Sequence, residues 1–80
     1  MPGGYLREGD RAAVAVSVHA AQAEGTALNN FGVALVEVRR FEEAITAHQD
    51  AAAIYRETGD RHRESSALED LATAQAARNA

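Results

Sequence analysis

Small and apolar side chains return every three or four residues from Ala44 onward, with Ala44, Ala47, Ala51 and Ile54 on one face. That is the period of a helix with one side against a partner. Glu42 and Glu43 open the segment and Arg56 stands near its end, as the helix dipole favours, so a helix is predicted over 41–57. Thr58-Gly59-Asp60 then joins a glycine able to end one helix to an aspartate able to cap the next, which predicts a further helix over 61–77. Upstream, Asp10 is a good N-cap and no proline follows Pro2, which predicts helix over 11–38. Residues 1–9, with Pro2, Gly3, Gly4 and Gly9, read as a loose lead-in. Arg39-Arg40 leaves room only for an antiparallel hairpin. The predicted fold is all-α, one helical domain over residues 10–80 built as an antiparallel helical hairpin plus an extra helix.

The chain also repeats itself. At a shift of forty, Glu24 meets Glu64, Ala27 meets Ala67, Leu28 meets Leu68, Phe31 meets Leu71 and Ala34 meets Ala74. A second echo, Gly9-Asp10-Arg11 with Gly59-Asp60-Arg61, has a shift of fifty, so the first copy carries ten extra residues within Ala12–Ala21. Either the first helix is longer by about 15 Å at the usual rise, or a break near His19 divides it. Val14, Val16 and Val18 alternate as in a strand, yet no second strand exists to pair with them, and helix is the expectation. These three valines point to different sides of a helix, which marks residues 11–21 as a candidate contact for a second copy of the chain or a neighbouring domain.

The segment Leu28-x2-Phe31-Gly32-x2-Leu35, followed by Ala44 and Ala51 and echoed by Leu68, Leu71 and Ala72, resembles the tetratricopeptide repeat (TPR) family in its long-period bacterial form. The family pattern is W-x2-L-G-x2-Y, then A-x3-F, then P, at about 34 residues per repeat. The resemblance covers roughly residues 22–77, one repeat and half of another, and implies a fragment of a TPR-like solenoid. Its packing positions are then Leu28, Phe31, Gly32, Leu35, Ala44, Ala51, Leu68, Leu71 and Ala72. A glycine inside a helix costs about 1 kcal/mol against alanine, so Gly32 is expected where the partner helix approaches closely. The chain departs from the pattern at His48, where a large aromatic is usual, at Arg56, where proline is usual, and at Gln75, which replaces the large residue matching Leu35.

Composition narrows the function. Apolar residues make up 46% of the chain but aromatics only 5%, and there is no cysteine, so the core is thin and neither disulfides nor a thiolate metal site are available. All eight basic residues are arginine, and the net charge is −4. That balance disfavours non-specific binding to nucleic acid or to an anionic membrane. No apolar run approaches the roughly 20 residues of a membrane helix, and the first residues lack a secretory pattern, so the cytoplasm is the expected location. His19, His48 and His62 are too scattered for a metal site, and His48 is expected to be a packing residue with a hydrogen-bonded ring. Glu42-Glu43 are ordinary dipole partners, Ser65-Ser66 lacks a nearby base, and the glycines follow no nucleotide-binding pattern. No catalytic, cofactor or metal residue is assigned, and an enzyme is not expected.

The resemblance implies that the first helix of each pair lines a concave groove. Its ligand-facing positions fall on Thr26, Asn29, Asn30, Val33 and Val36, then on Ser66, Glu69, Asp70 and Thr73. Asn30 matches an asparagine of the carboxylate clamp that some family members use, but Ser66 and Asp70 stand where cations would be needed, and the clamp fails. The expected function is a non-catalytic protein- or peptide-binding scaffold, part of a larger bacterial regulator or assembly. The alternative is a structural helical module that associates with itself.

Overall fold

The computed structural model describes residues 7–80, which form three helices and no strand: α1, Glu8–Glu37; α2, Phe41–Thr58; and α3, Arg61–Asn79. α2 packs along both other helices, while α1 and α3 touch at few places, so an open cleft lies between α1 and α3 with α2 as its floor. The expected hairpin plus an extra helix is the observed architecture.

α1 is a single helix of 30 residues, without a break at His19. Alanine is the best helix former, and here it separates valines that would otherwise crowd one another. Its start differs from expectation. Arg7, extended at φ −67° and ψ 157°, precedes the first turn and gives no side-chain cap, while Glu8 and Asp10 both fall within that turn. Asp10 therefore acts on the helix dipole rather than as the cap, and Glu8 and Gly9 belong to the helix. The rest of the expected lead-in, residues 1–6, lies outside the described residues.

The two helix ends close alike. At the first, Arg39 N–H donates to the Val36 carbonyl (3.0 Å) and Arg40 N–H to that of Leu35 (2.9 Å). At the second, Gly59 N–H donates to the Arg56 carbonyl (3.2 Å) and Asp60 N–H to that of Tyr55 (2.8 Å). This is the Schellman arrangement, which requires a left-handed residue. Gly59 supplies it at φ 75°, and at the other end Arg39 does so at φ 65°. Asp60 then caps α3 as expected, its carboxylate accepting the Arg63 N–H at 3.0 Å.

Two buried clusters fix α2 between its neighbours. Leu35, Ala44, Ile45, Ala47 and Ala74 form one, with Val36 and Leu71 against it; Ala51, Ala52, Tyr55 and Ala67 form the other, with Leu28 against it. Ala67 and Ala74 are wholly buried and seven residues apart, which lets α3 lie close to α2. Ion pairs join both ends of that contact, Arg56 with Glu64 (2.9 Å) and Arg78 with Glu42 (3.2 Å). Exposed pairs of this kind contribute at most about 1 kcal/mol each.

The expected packing positions divide into two groups. Leu28, Gly32, Leu35, Ala44, Ala51 and Leu71 are buried or packed against a cluster. Phe31 (56% exposed), Leu68 (41%) and Ala72 are not. The reason is which faces have a neighbour. Leu28 and Gly32 lie on the side of α1 that α2 covers, whereas Leu68 and Ala72, forty residues on, lie on the side of α3 turned away from α2. Phe31 in turn stands at the edge of α1 beside α2, lining a hollow with Leu28, Glu43, Thr46 and Asp50 rather than entering a cluster.

Candidate binding cleft

Gly25 and Gly32, seven residues apart, bring α1 down onto two rings of α2 that are also seven apart. A side-chain carbon on Gly25 would lie 3.0 Å from Cε1 of Tyr55, and one on Gly32 would lie 2.6 Å from Cε1 of His48. Only hydrogen fits at Gly32. The approach expected for that glycine is therefore present, and the residue responsible is His48.

His48 is 1% exposed, so its polar atoms need partners. Its Nδ1 donates to Oδ1 of Asn29 at 2.6 Å, and Nδ2 of Asn29 donates to the Asp70 carboxylate at 2.8 Å. The directions follow from chemistry. A carboxylate only accepts, so it must meet the NH2 of Asn29, which turns the amide oxygen to the ring and places the histidine proton on Nδ1. Burial holds the His48 pKa below its ordinary value, and the Asp70 carboxylate partly offsets that shift. One residue from each helix thus joins α1, α2 and α3 at a single point. Beside it, the Thr26 and Tyr55 hydroxyls are hydrogen-bonded at 2.9 Å. No buried side-chain nitrogen or oxygen among the described residues lacks a partner.

This network divides the cleft into two hollows. One, of about 260 Å3, is lined by Val33, Val36, Glu37, His48, Asp70 and Thr73. The other is wider, about 610 Å3, and is lined by His19, Gln22, Ala23, Thr26, Asn30 and Arg63 among others. The first has an apolar floor with two carboxylates beside it. The second carries more polar groups, among them an arginine and an imidazole, between Ala23 and Ala27.

The groove positions expected from the sequence are thereby placed. Val33, Val36 and Thr73 come together in the first hollow with Asp70, and Thr26 and Asn30 in the second. Ser66 and Glu69 are exposed on α3 and line neither. Asn29 is half-buried, and both ends of its amide are engaged within the chain. It is a brace between helices rather than a free amide for a ligand. Glu37, Gln22, His19 and Arg63 were not among the expected groove residues; each becomes a lining residue only once the lengths and offset of α1 and α3 are known.

The His48 ring, its pKa held low by burial, is committed to Asn29. Among the described residues no group of three or more histidine, aspartate or glutamate side chains could hold a metal ion, and no helix is long and apolar enough to cross a membrane. Comparison with known proteins found no matching family model, no matching curated protein and no matching solved structure.

Proposed function

We propose that the chain is a non-catalytic protein- or peptide-binding module of TPR type, and that the cleft between α1 and α3 is its binding face. The observation that carries this is the hollow between the two helices, where Val33 is exposed and Val36 half-buried beside the carboxylates of Glu37 and Asp70. A valine left open on a concave surface lacks the packing role of Leu35, and together with polar groups at its edge it suits a side chain brought from outside. The charges favour a segment with an apolar anchor next to a basic residue, since an acidic segment would meet Glu37 and Asp70 at short range. The resemblance to long-period repeats supports a place within a larger bacterial regulator or assembly in the cytoplasm.

Selection of random peptides on the immobilised chain tests the proposal. Enriched peptides should share an apolar residue flanked by lysine or arginine. Their binding should weaken about tenfold or more when Val33 is changed to glutamate, roughly the 1.4 kcal/mol expected for losing one anchor. Peptides that bind the Val33→Glu variant as well as the wild type would place the binding face elsewhere. Self-association is a second reading, favoured by the exposed apolar side of α1.

A further inference from the structure

The charges along the cleft are sorted by sign. Among the described residues, Glu37 and Asp70 line the first hollow, and the only basic side chain there is the buried His48 ring. Arg63 lines the second hollow, and no described carboxylate does. Asp70 and Arg63 both stand on α3, seven residues apart, which sets the negative end about 10 Å from the positive one. The helix dipoles run the same way. α1 ends beside Glu37 with no basic residue in its last turn, and α3 begins just before Arg63. Arg39 and Arg78 line a separate hollow beyond Glu37.

Both groups can meet a ligand. One oxygen of Asp70 accepts from Asn29, whose own oxygen is held by the His48 ring. The carboxylate is thus fixed relative to all three helices, while its other oxygen makes no hydrogen bond to a described residue. A group held in place before binding loses little freedom when a partner arrives. Arg63 lies 3.6 Å from the Asp60 carboxylate, and its side chain is 52% exposed. That distance is beyond hydrogen-bond reach, and an exposed pair of this kind is weak. The guanidinium can therefore turn to an acceptor from outside, with the amides of Gln22 and Asn30 beside it.

We propose that the cleft takes an extended segment with charges of opposite sign: a basic residue beside the apolar anchor, bound at Asp70 and Glu37, and an acidic side chain bound at Arg63. This rests on the cleft being the binding face, and adds the order and spacing of the charges. The bridge between the hollows decides the form of the ligand. Asn29 and Asp70 meet across the cleft at 2.8 Å, so a chain reaching both hollows must cross over that hydrogen bond. A helix, at least about 10 Å wide, is too broad to enter both. An extended chain advances about 3.3 Å per residue, so the acidic residue stands three or four residues from the basic one. It is a side chain within the segment, since the second hollow continues along α1 to His19 and leaves room for the backbone to run on. A segment with the charges exchanged would set acid against Asp70 and base against Arg63, and is rejected.

Acetylated and amidated peptides, free of terminal charge, are the probe. Each carries Lys-Leu, one glutamate placed one to seven residues from the lysine on either side, and serine and glycine elsewhere. Titration calorimetry reads the affinity. Glutamate three or four residues from the lysine, on one side only, should bind about fivefold tighter than glutamine there, the upper range for an exposed ion pair. The gain should vanish with Arg63→Gln and pass to lysine with Arg63→Glu, both variants keeping the helix content of the wild type. Asp70→Asn should remove the preference for Lys-Leu over Gln-Leu and leave the gain at Arg63. A glutamate that gains nothing at any spacing, or as much with Arg63→Gln, would overturn the charge order while Val33-dependent binding, and with it the cleft, stands. An optimum at seven residues, the spacing of a helical ligand, would also overturn it. Peptides that bind without need of Val33 would overturn both readings.

Discussion

A methyl group added to Gly32 would lie 2.6 Å from Cε1 and 2.7 Å from Nε2 of His48, far inside ordinary contact. On an open helix the same change is favourable, because alanine gains about 1 kcal/mol over glycine. Here the ring has nowhere to go: it is buried, and Asn29 holds its Nδ1. Either that hydrogen bond breaks or α1 and α2 separate, and overpacking of this kind costs about 1–3 kcal/mol. Set against the helical gain, Gly32→Ala should lower stability by up to about 2 kcal/mol. The other glycines of α1 provide the scale. Gly25 would meet Tyr55 at 3.0 Å, a tight contact, and Gly9 faces open space.

Urea denaturation followed by circular dichroism, at one fixed protein concentration because association would shift the midpoint, gives the order. Gly9→Ala should be at least as stable as the wild type, Gly25→Ala slightly less stable, and Gly32→Ala the least stable. For a chain of this size the denaturant slope is about 1 kcal/mol per molar urea, so the lowest midpoint should fall by up to about 2 M. If Gly32→Ala were as stable as Gly9→Ala, the close approach of His48 to α1 would be wrong.

Two further outcomes are expected. His48 has a lowered pKa in the folded chain, so the unfolded chain binds its proton more readily; stability is full above about pH 6.5, the unfolded value, and falls as the pH drops below it. The urea midpoint should therefore decline between pH 7.5 and pH 5.5 in the wild type and decline less in His48→Gln; equal slopes would refute a buried, neutral His48. Arg39 adopts a left-handed conformation that glycine takes without cost, so Arg39→Gly should stabilise the chain by about 1 kcal/mol, measured as a higher urea midpoint; a loss of stability would contradict the geometry of that helix end.

Much of the fold was legible because its signals are local. Thr58-Gly59-Asp60 states both an end and a beginning, and the alanine spacing of α2 shows which side meets its neighbours. The start of α1 was misread because Asp10 has the chemistry of a cap, while Glu8 two residues earlier serves the same dipole from a helix already begun. The repeat at a shift of forty pairs Phe31 with Leu71. It could not say that one would be buried and the other bare, because burial depends on which neighbour is present and not on the side chain. The joining of His48, Asn29 and Asp70 lay further out of reach. The partners are 19 and 41 residues apart in sequence, and no local pattern marks an amide that will bridge an imidazole and a carboxylate. The sequence pattern sets Asn29 among the ligand-facing residues, and in the fold both ends of its amide are engaged by His48 and Asp70.

The central claim is that the cleft between α1 and α3 receives a partner. Titration of the isotopically labelled chain with a cleft-selected peptide, followed through its amide resonances, tests it most directly. Asn30, Val33, Glu37 and Thr73 should shift together and saturate at one affinity, while Ala20, Ala34 and Val38 on the far side of α1 stay in place. Shifts confined to that far side, with Val33 and Thr73 unmoved, would contradict it.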